Sequence, residues 1–121
     1  MKINFKGTNL ELNDQLRSYV LLKLEALDKI LTSEQIKDGG LATVELGRIN
    51  KHHKHGEIFR AEINLNWSGR YFRAEAESGD LYAAIDEVKD ELLREIKTRR
   101  QRQGAIIRRG ARAIKKWLSN R

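Results

Sequence analysis

FRAEINLNWSGRYFRAEA, residues 59–76, reads as two short strands and the turn that joins them. Phe59, Ala61, Ile63, Leu65 and Trp67 alternate with Arg60, Glu62, Asn64 and Asn66. After Ser68 and Gly69 the alternation resumes, with Phe72, Ala74 and Ala76 against Arg73 and Glu75. A period of two is what a half-buried strand requires, because successive side chains leave the backbone on opposite faces. The two-residue Ser-Gly link between the runs predicts a hairpin, since such tight turns need a residue tolerant of positive φ. Ala42, Val44 and Leu46, interleaved with Thr43 and Glu45, predict a further strand of the same kind. Ile3 and Phe5, set between Lys2, Asn4 and Lys6 and followed by Gly7, predict another.

Strands with one apolar and one polar face form a sheet that is wet on one side and must be covered on the other. Two helices are available as cover. Leu16, Val20, Leu24, Leu27 and Leu31 recur at helical spacing, with Asn13 placed to cap, and predict a helix over about residues 14–31. Leu81, Ile85, Val88, Leu92 and Ile96 predict a second within residues 80–102, with Ser78 or Asp80 as its cap. The order is therefore β-α-β-β-β-α, an α+β fold with two helices on one face of a four-stranded, mostly antiparallel sheet. The first and second strands are expected to be parallel neighbours, because a helix crosses between them. This resembles the plan of a double-stranded-RNA-binding domain, although topology alone is weak evidence for function.

The charge is as informative as the hydropathy. Residues 1–90 hold 13 Lys/Arg and 15 Asp/Glu, net −2, whereas residues 91–121 hold 11 and 2, net +9, which together give the formal +7 of the chain. A basic block of this kind is the footprint of a nucleic-acid or anionic-membrane contact. The bland alternative is a solvated helix, because acid early in the second helix (Asp86, Glu87, Asp90, Glu91) and base late (Lys97, Arg99, Arg100, Arg102) also suit its dipole.

With 121 residues the chain is expected to be one α+β domain, residues 1–103, with a basic extension, residues 104–121. It has no cysteine and no proline, so it has neither disulfides nor a thiolate metal site. MKINFKGTN is too polar for a signal peptide, and no apolar run approaches a membrane span. A soluble, cytoplasmic protein is expected.

Catalysis finds little footing. His52, His53 and His55 crowd into one polar loop, with no carboxylate or cysteine at a fixed ligand spacing, so no metal site is expected there. Neither a nucleophile elbow nor a phosphate-cradling glycine loop occurs, and the acids are scattered over helix faces. Asp86 and Asp90, one turn apart, suit ion pairs with Lys89 and Arg94 better than acid-base chemistry.

Certain residues carry a resemblance. Ile3-Asn4-Phe5-Lys6-Gly7, Leu16-Arg17-Ser18-Tyr19-Val20 with Lys23, Leu24 and Leu27, and above all Asp80-Leu81-Tyr82-Ala83-Ala84-Ile85-Asp86 with Leu92 and Arg94 resemble the bacterial ribosome hibernation family, in a short form. That family comprises hibernation promoting factor and ribosome-associated inhibitor A, the ribosomal subunit interface proteins. The likeness runs over about residues 1–102 and keeps every element in order.

The resemblance implies a non-enzymatic protein without cofactor or small-molecule substrate. It implies binding to the 16S rRNA of the small subunit, and to the 70S ribosome, in the cleft used by mRNA and the A- and P-site tRNAs. Carried over by residue, the RNA-binding candidates are Arg17, Lys23 and Lys29 on the first helix and Lys89, Arg94, Lys97, Arg99, Arg100 and Arg102 on the second. Ala26 and Glu91 stand where members of the family often have lysine, which shifts the weight of the patch toward the end of the second helix.

Local sequence qualifies each candidate. Arg17, Lys29 and Arg94 each have an acid three or four residues away, namely Asp14, Glu25 and Asp90, so each has a possible surface partner. Lys23 has none at either spacing, and Arg99, Arg100 and Arg102 have at most Glu95.

In the extension, Ile107, Ala111, Ile114 and Leu118 fall on one helical face and Arg108, Arg109, Arg112, Lys115 and Lys116 on the others. Such a segment, weakened by Gly110, is expected to be disordered in isolation and to order on RNA. The alternative is a third helix folded back on the core. Two rival functions remain in view: binding of structured RNA away from the ribosome, and peripheral membrane or partner binding through this basic amphipathic segment and Trp117.

Overall fold

The computed structural model describes residues 1–32, 40–49 and 56–119. Its elements follow the expected order: β1 (Lys2–Thr8), α1 (Asp14–Thr32), β2 (Leu41–Ile49), β3 (Ile58–Trp67), β4 (Arg70–Ser78) and α2 (Leu81–Ser119). The four strands form one sheet in the order β1-β2-β3-β4. β1 and β2 run parallel, with Ile3 opposite Ala42 and Phe5 opposite Val44. The other two pairings are antiparallel, so the sheet is mixed.

The hairpin turns on Ser68 and Gly69, with φ values of 51° and 74°. Two successive left-handed residues match the twist of the flanking strands, and glycine takes the second position without a steric penalty. The turn places Trp67 opposite Arg70 and Leu65 opposite Phe72, which fixes the register of both apolar faces.

Every apolar position of the alternating runs from Ala42 through Leu46, from Ala61 through Trp67, and Phe72 and Ala74, is buried. Leu16, Val20, Leu24, Leu27 and Leu31 of α1 and Ile85, Val88, Leu92 and Ile96 of α2 complete the same cluster. Both helices therefore cover one face of the sheet. Burying each of these larger side chains stabilises the domain by roughly 1.5–3 kcal/mol before entropy is counted. Asn13 caps α1, its Oδ1 accepting the Leu16 amide at 2.8 Å. Asp80 caps α2, its Oδ1 accepting the Tyr82 amide at 3.1 Å.

The uncovered face carries the interleaved polar residues, organised around Glu62, which is 7% exposed. Arg60 reaches it at 3.0 Å and Arg73 at 2.6 Å, and Arg60 also pairs with Glu75. Burial pushes the Glu62 carboxyl up, but the Asn64 amide and the Arg60 and Arg73 guanidiniums outweigh it and hold the group below its ordinary value.

The extension departs from both expectations for it. It is neither disordered nor folded back as a third helix, because α2 continues through Gly104 and Gly110 to Ser119. The physical reason is nucleation. Residues 81–96 are fixed by the core, so each further residue adds to an existing helix rather than starting one. The histidine loop and residues 33–39 lie outside the described residues, so the reading of His52, His53 and His55 is untouched by the structure.

Candidate RNA interface

Three groups meet on the seam between α1 and α2. Tyr19 donates its hydroxyl to Asp86 Oδ1 at 2.8 Å, and Lys23 Nζ lies 3.3 Å from the same oxygen. Lys23 also stands 5.2 Å from the centroid of the Tyr19 ring, whose other neighbour is Tyr82, edge-on at 4.8 Å. The Asp86 hydrogen bond is the main cause that raises both the Tyr19 and the Lys23 pKa. Lys23 has no acid on its own helix, as its spacing implied, yet it is compensated by one on α2. That partner is invisible to any rule about residues three or four apart.

The next turn of α2 is compensated as well. Lys89 lies 2.6 Å from Asp90, and this contact, set against some desolvation, is the main cause that lowers the Asp90 pKa. Arg94 pairs directly with Glu91 at 2.8 Å, and its charge also helps to lower the Asp90 pKa. Arg17 forms no ion pair with Asp14 among the described residues; its guanidinium carbon lies 5.4 Å from the Phe5 ring centroid. Lys29 is exposed in the last turn of α1.

Beyond Glu95 no acid follows in the sequence, and the cations divide into two kinds. Arg99 and Arg100 are held by the domain. Arg99 donates to the Tyr71 carbonyl at 2.7 Å and to Glu95 at 3.1 Å, with its guanidinium carbon 4.3 Å from the centre of the Phe72 ring. Arg100 donates to the Ile30 carbonyl at 3.3 Å, tying α2 to the last turns of α1. Lys97 and Arg102 are exposed and make no ion pair among the described residues.

The nine candidates thus fall on one helical layer without being equivalent. Lys23, Lys89 and Arg94 are paired with acids, Arg17 lies over Phe5, Arg99 and Arg100 hold elements together, and Lys29, Lys97 and Arg102 are exposed. Sequence reasoning missed the roles of Asp86 and Tyr19, which only the packing of α1 on α2 reveals. Among the described residues no group of three His, Cys, Asp or Glu is placed to hold a metal ion.

Residues 3–104 match the model of a family described as sigma 54 modulation protein / S30EA ribosomal protein. The chain belongs to this family. A ribosome hibernation promotion factor of Deinococcus radiodurans is 39% identical over 101 residues, covering 80% of this chain and 49% of that protein. The chain spans about half the length of such relatives. A ribosome hibernation promoting factor of Pseudomonas putida is 30% identical over 115 residues, 92% of this chain and 98% of its own. Among solved structures, the N-terminal domain of Thermus thermophilus Protein Y superposes with a TM-score of 0.66 at 36% identity, covering 81% of this chain and 98% of that domain. A ribosomal subunit interface protein of Coxiella burnetii, 20% identical with a TM-score of 0.63, shares the fold. The match to the family model ends at residue 104, inside α2, which runs on to Ser119.

Proposed function

We propose that the chain is a cytoplasmic, non-enzymatic ribosome hibernation factor. It binds 16S rRNA in the decoding cleft of the small subunit, occludes mRNA and the A- and P-site tRNAs, and keeps the 70S ribosome inactive. The observation that carries this reading is the exposed cationic end of the helical layer. Lys97 and Arg102 stand without acidic partners among the described residues, on a domain whose family includes ribosome hibernation factors. Cations that the protein leaves uncompensated are the ones that gain most by meeting phosphate. The compensated seam of Lys23 and Asp86 and of Lys89 and Asp90 contributes less net charge and more shape, presenting a firm surface beside the basic end.

The mechanism requires no bond to be made or broken. Occupancy excludes the competing RNAs, and the affinity comes from phosphate contacts made by a pre-formed helical surface, so little ordering entropy is lost on binding. Sedimentation of a lysate through sucrose tests this. The chain is expected in the small-subunit and monosome or dimeric-ribosome fractions, and mRNA and initiator tRNA are expected to displace it. Its recovery solely in free-RNA or ribosome-free fractions would refute the reading.

A further inference from the structure

α2 repeats itself every eighteen residues, which is about five turns of 3.6 residues, so residues that far apart share one side of the helix. Ile96, buried at 1% exposure on the sheet, comes round again as Ile114, exposed at 62%. Arg94 comes round as Arg112 and Lys97 as Lys115, while Arg108 follows Lys97 by eleven residues, about three turns. The apolar side of the extension therefore faces the side on which the domain body lies, and its basic side continues the outer, solvent-facing side of the domain's helical layer. No acid interrupts residues 96–119.

This alignment discriminates between possible partners. A flat bilayer laid against Ile107 and Ile114 would meet the body of the domain, because Ile96 packs into the sheet on that same side. The outer side has no such obstruction. It offers two groups of cations on one side of the helix, Arg94 and Lys97 and then Arg108, Arg112 and Lys115, which at the 1.5 Å rise of an α-helix span about 30 Å. A long, narrow, evenly charged partner fits it, which is the description of an RNA backbone.

We propose that Arg108, Arg112 and Lys115 act with Arg94 and Lys97 as one phosphate-binding strip, carrying the RNA contact of the domain outward along α2. The inference rests on the RNA-binding reading given above and adds to it cations that lie beyond residue 104, where the match to the family model ends. The helix itself is the essential device: its rigidity keeps the distal cations in rotational register with the proximal ones.

Two variants of the full chain test it, with isolated small ribosomal subunits as the probe. Replacing Arg108, Arg112 and Lys115 together by Gln keeps good helix formers and removes three charges. The parent chain should then lose about 20- to 40-fold more affinity than this variant when salt rises from 50 to 200 mM, as expected for three phosphate contacts on single-stranded or duplex RNA. Inserting two alanines between Gln103 and Gly104 keeps every charge but turns the extension by about 200°. It should weaken binding and flatten the salt dependence as the Gln variant does. Far-UV circular dichroism confirms that both remain helical. An insertion variant that binds like the parent would overturn the strip, and so would a Gln variant with the parent's salt dependence. Pelleting of the parent with phosphatidylglycerol vesicles, with a blue shift of Trp117 emission, would overturn it in favour of a membrane surface. Failure of the parent itself to bind small subunits would instead defeat the functional reading on which the strip depends.

Discussion

Arg99 lies over Phe72, its guanidinium carbon 4.3 Å from the ring centroid, and donates to the carbonyl of the preceding residue, Tyr71. One side chain thus fastens the middle of α2 to β4 just where the buried stripe of the helix ends at Ile96. A cation in that place acts on the stability of the domain before it acts on RNA.

Arg99→Ala is accordingly expected to destabilise the domain by about 1–2 kcal/mol, from the lost cation-π contact and the lost charge-assisted hydrogen bond. Lys97→Ala, two residues away and solvent-facing, should change stability by less than about 0.5 kcal/mol. Urea denaturation of the two variants measures the difference, and equal effects would show that Arg99 is not a fastener.

Ile85, 2% exposed under the sheet, supports the α2 end of the core. Ile85→Ala should cost about 2–5 kcal/mol, the usual range for emptying a buried aliphatic site. A loss near zero in the denaturation midpoint would mean that α2 does not pack where the structure has it.

The Tyr19 hydroxyl gives a pH signature. Its hydrogen bond to Asp86 raises the phenol above its ordinary value of 10.0, so the folded state favours the protonated form. A group raised in this way contributes stability that is fully present below the unfolded pKa and is lost as pH rises through the folded one. Phenolate absorbance should therefore show one tyrosine titrating late, and Asp86→Asn should bring that titration down toward 10.0. An unchanged profile in Asp86→Asn would show that the seam does not hold Tyr19.

These tests separate what the sequence displays from what it hides. The alternation from Phe59 to Ala76 and the Ser68-Gly69 turn sufficed for the sheet, because strand faces and turn conformation are local properties. The caps at Asn13 and Asp80 were legible for the same reason. Lys23, by contrast, has its counter-charge sixty-three residues away in Asp86, and no local rule reaches so far. Helical spacing turns Arg99 toward the core side of an unbroken α2 and Arg100 to its flank, but only packing shows them as a fastener on Phe72 and a tie to Ile30. The extension was misjudged through its local weakness at Gly110, whereas its helicity is inherited from the anchored turns before it.

The phosphate-binding role of the basic end is tested most directly by the affinity of the purified chain for isolated small ribosomal subunits across a salt series. The parent is compared with Lys97→Glu/Arg102→Glu. These two residues are chosen because both are exposed, whereas changing Arg100 would also cut its bond to the Ile30 carbonyl. Log affinity of the parent should fall linearly with log salt, by roughly 0.7–0.9 per phosphate contact. The double variant should lose binding while its melting temperature stays within about a degree or two of the parent's. A salt-independent parent, or a double variant that is stably folded and binds as tightly as the parent, would contradict the assignment of this surface to RNA.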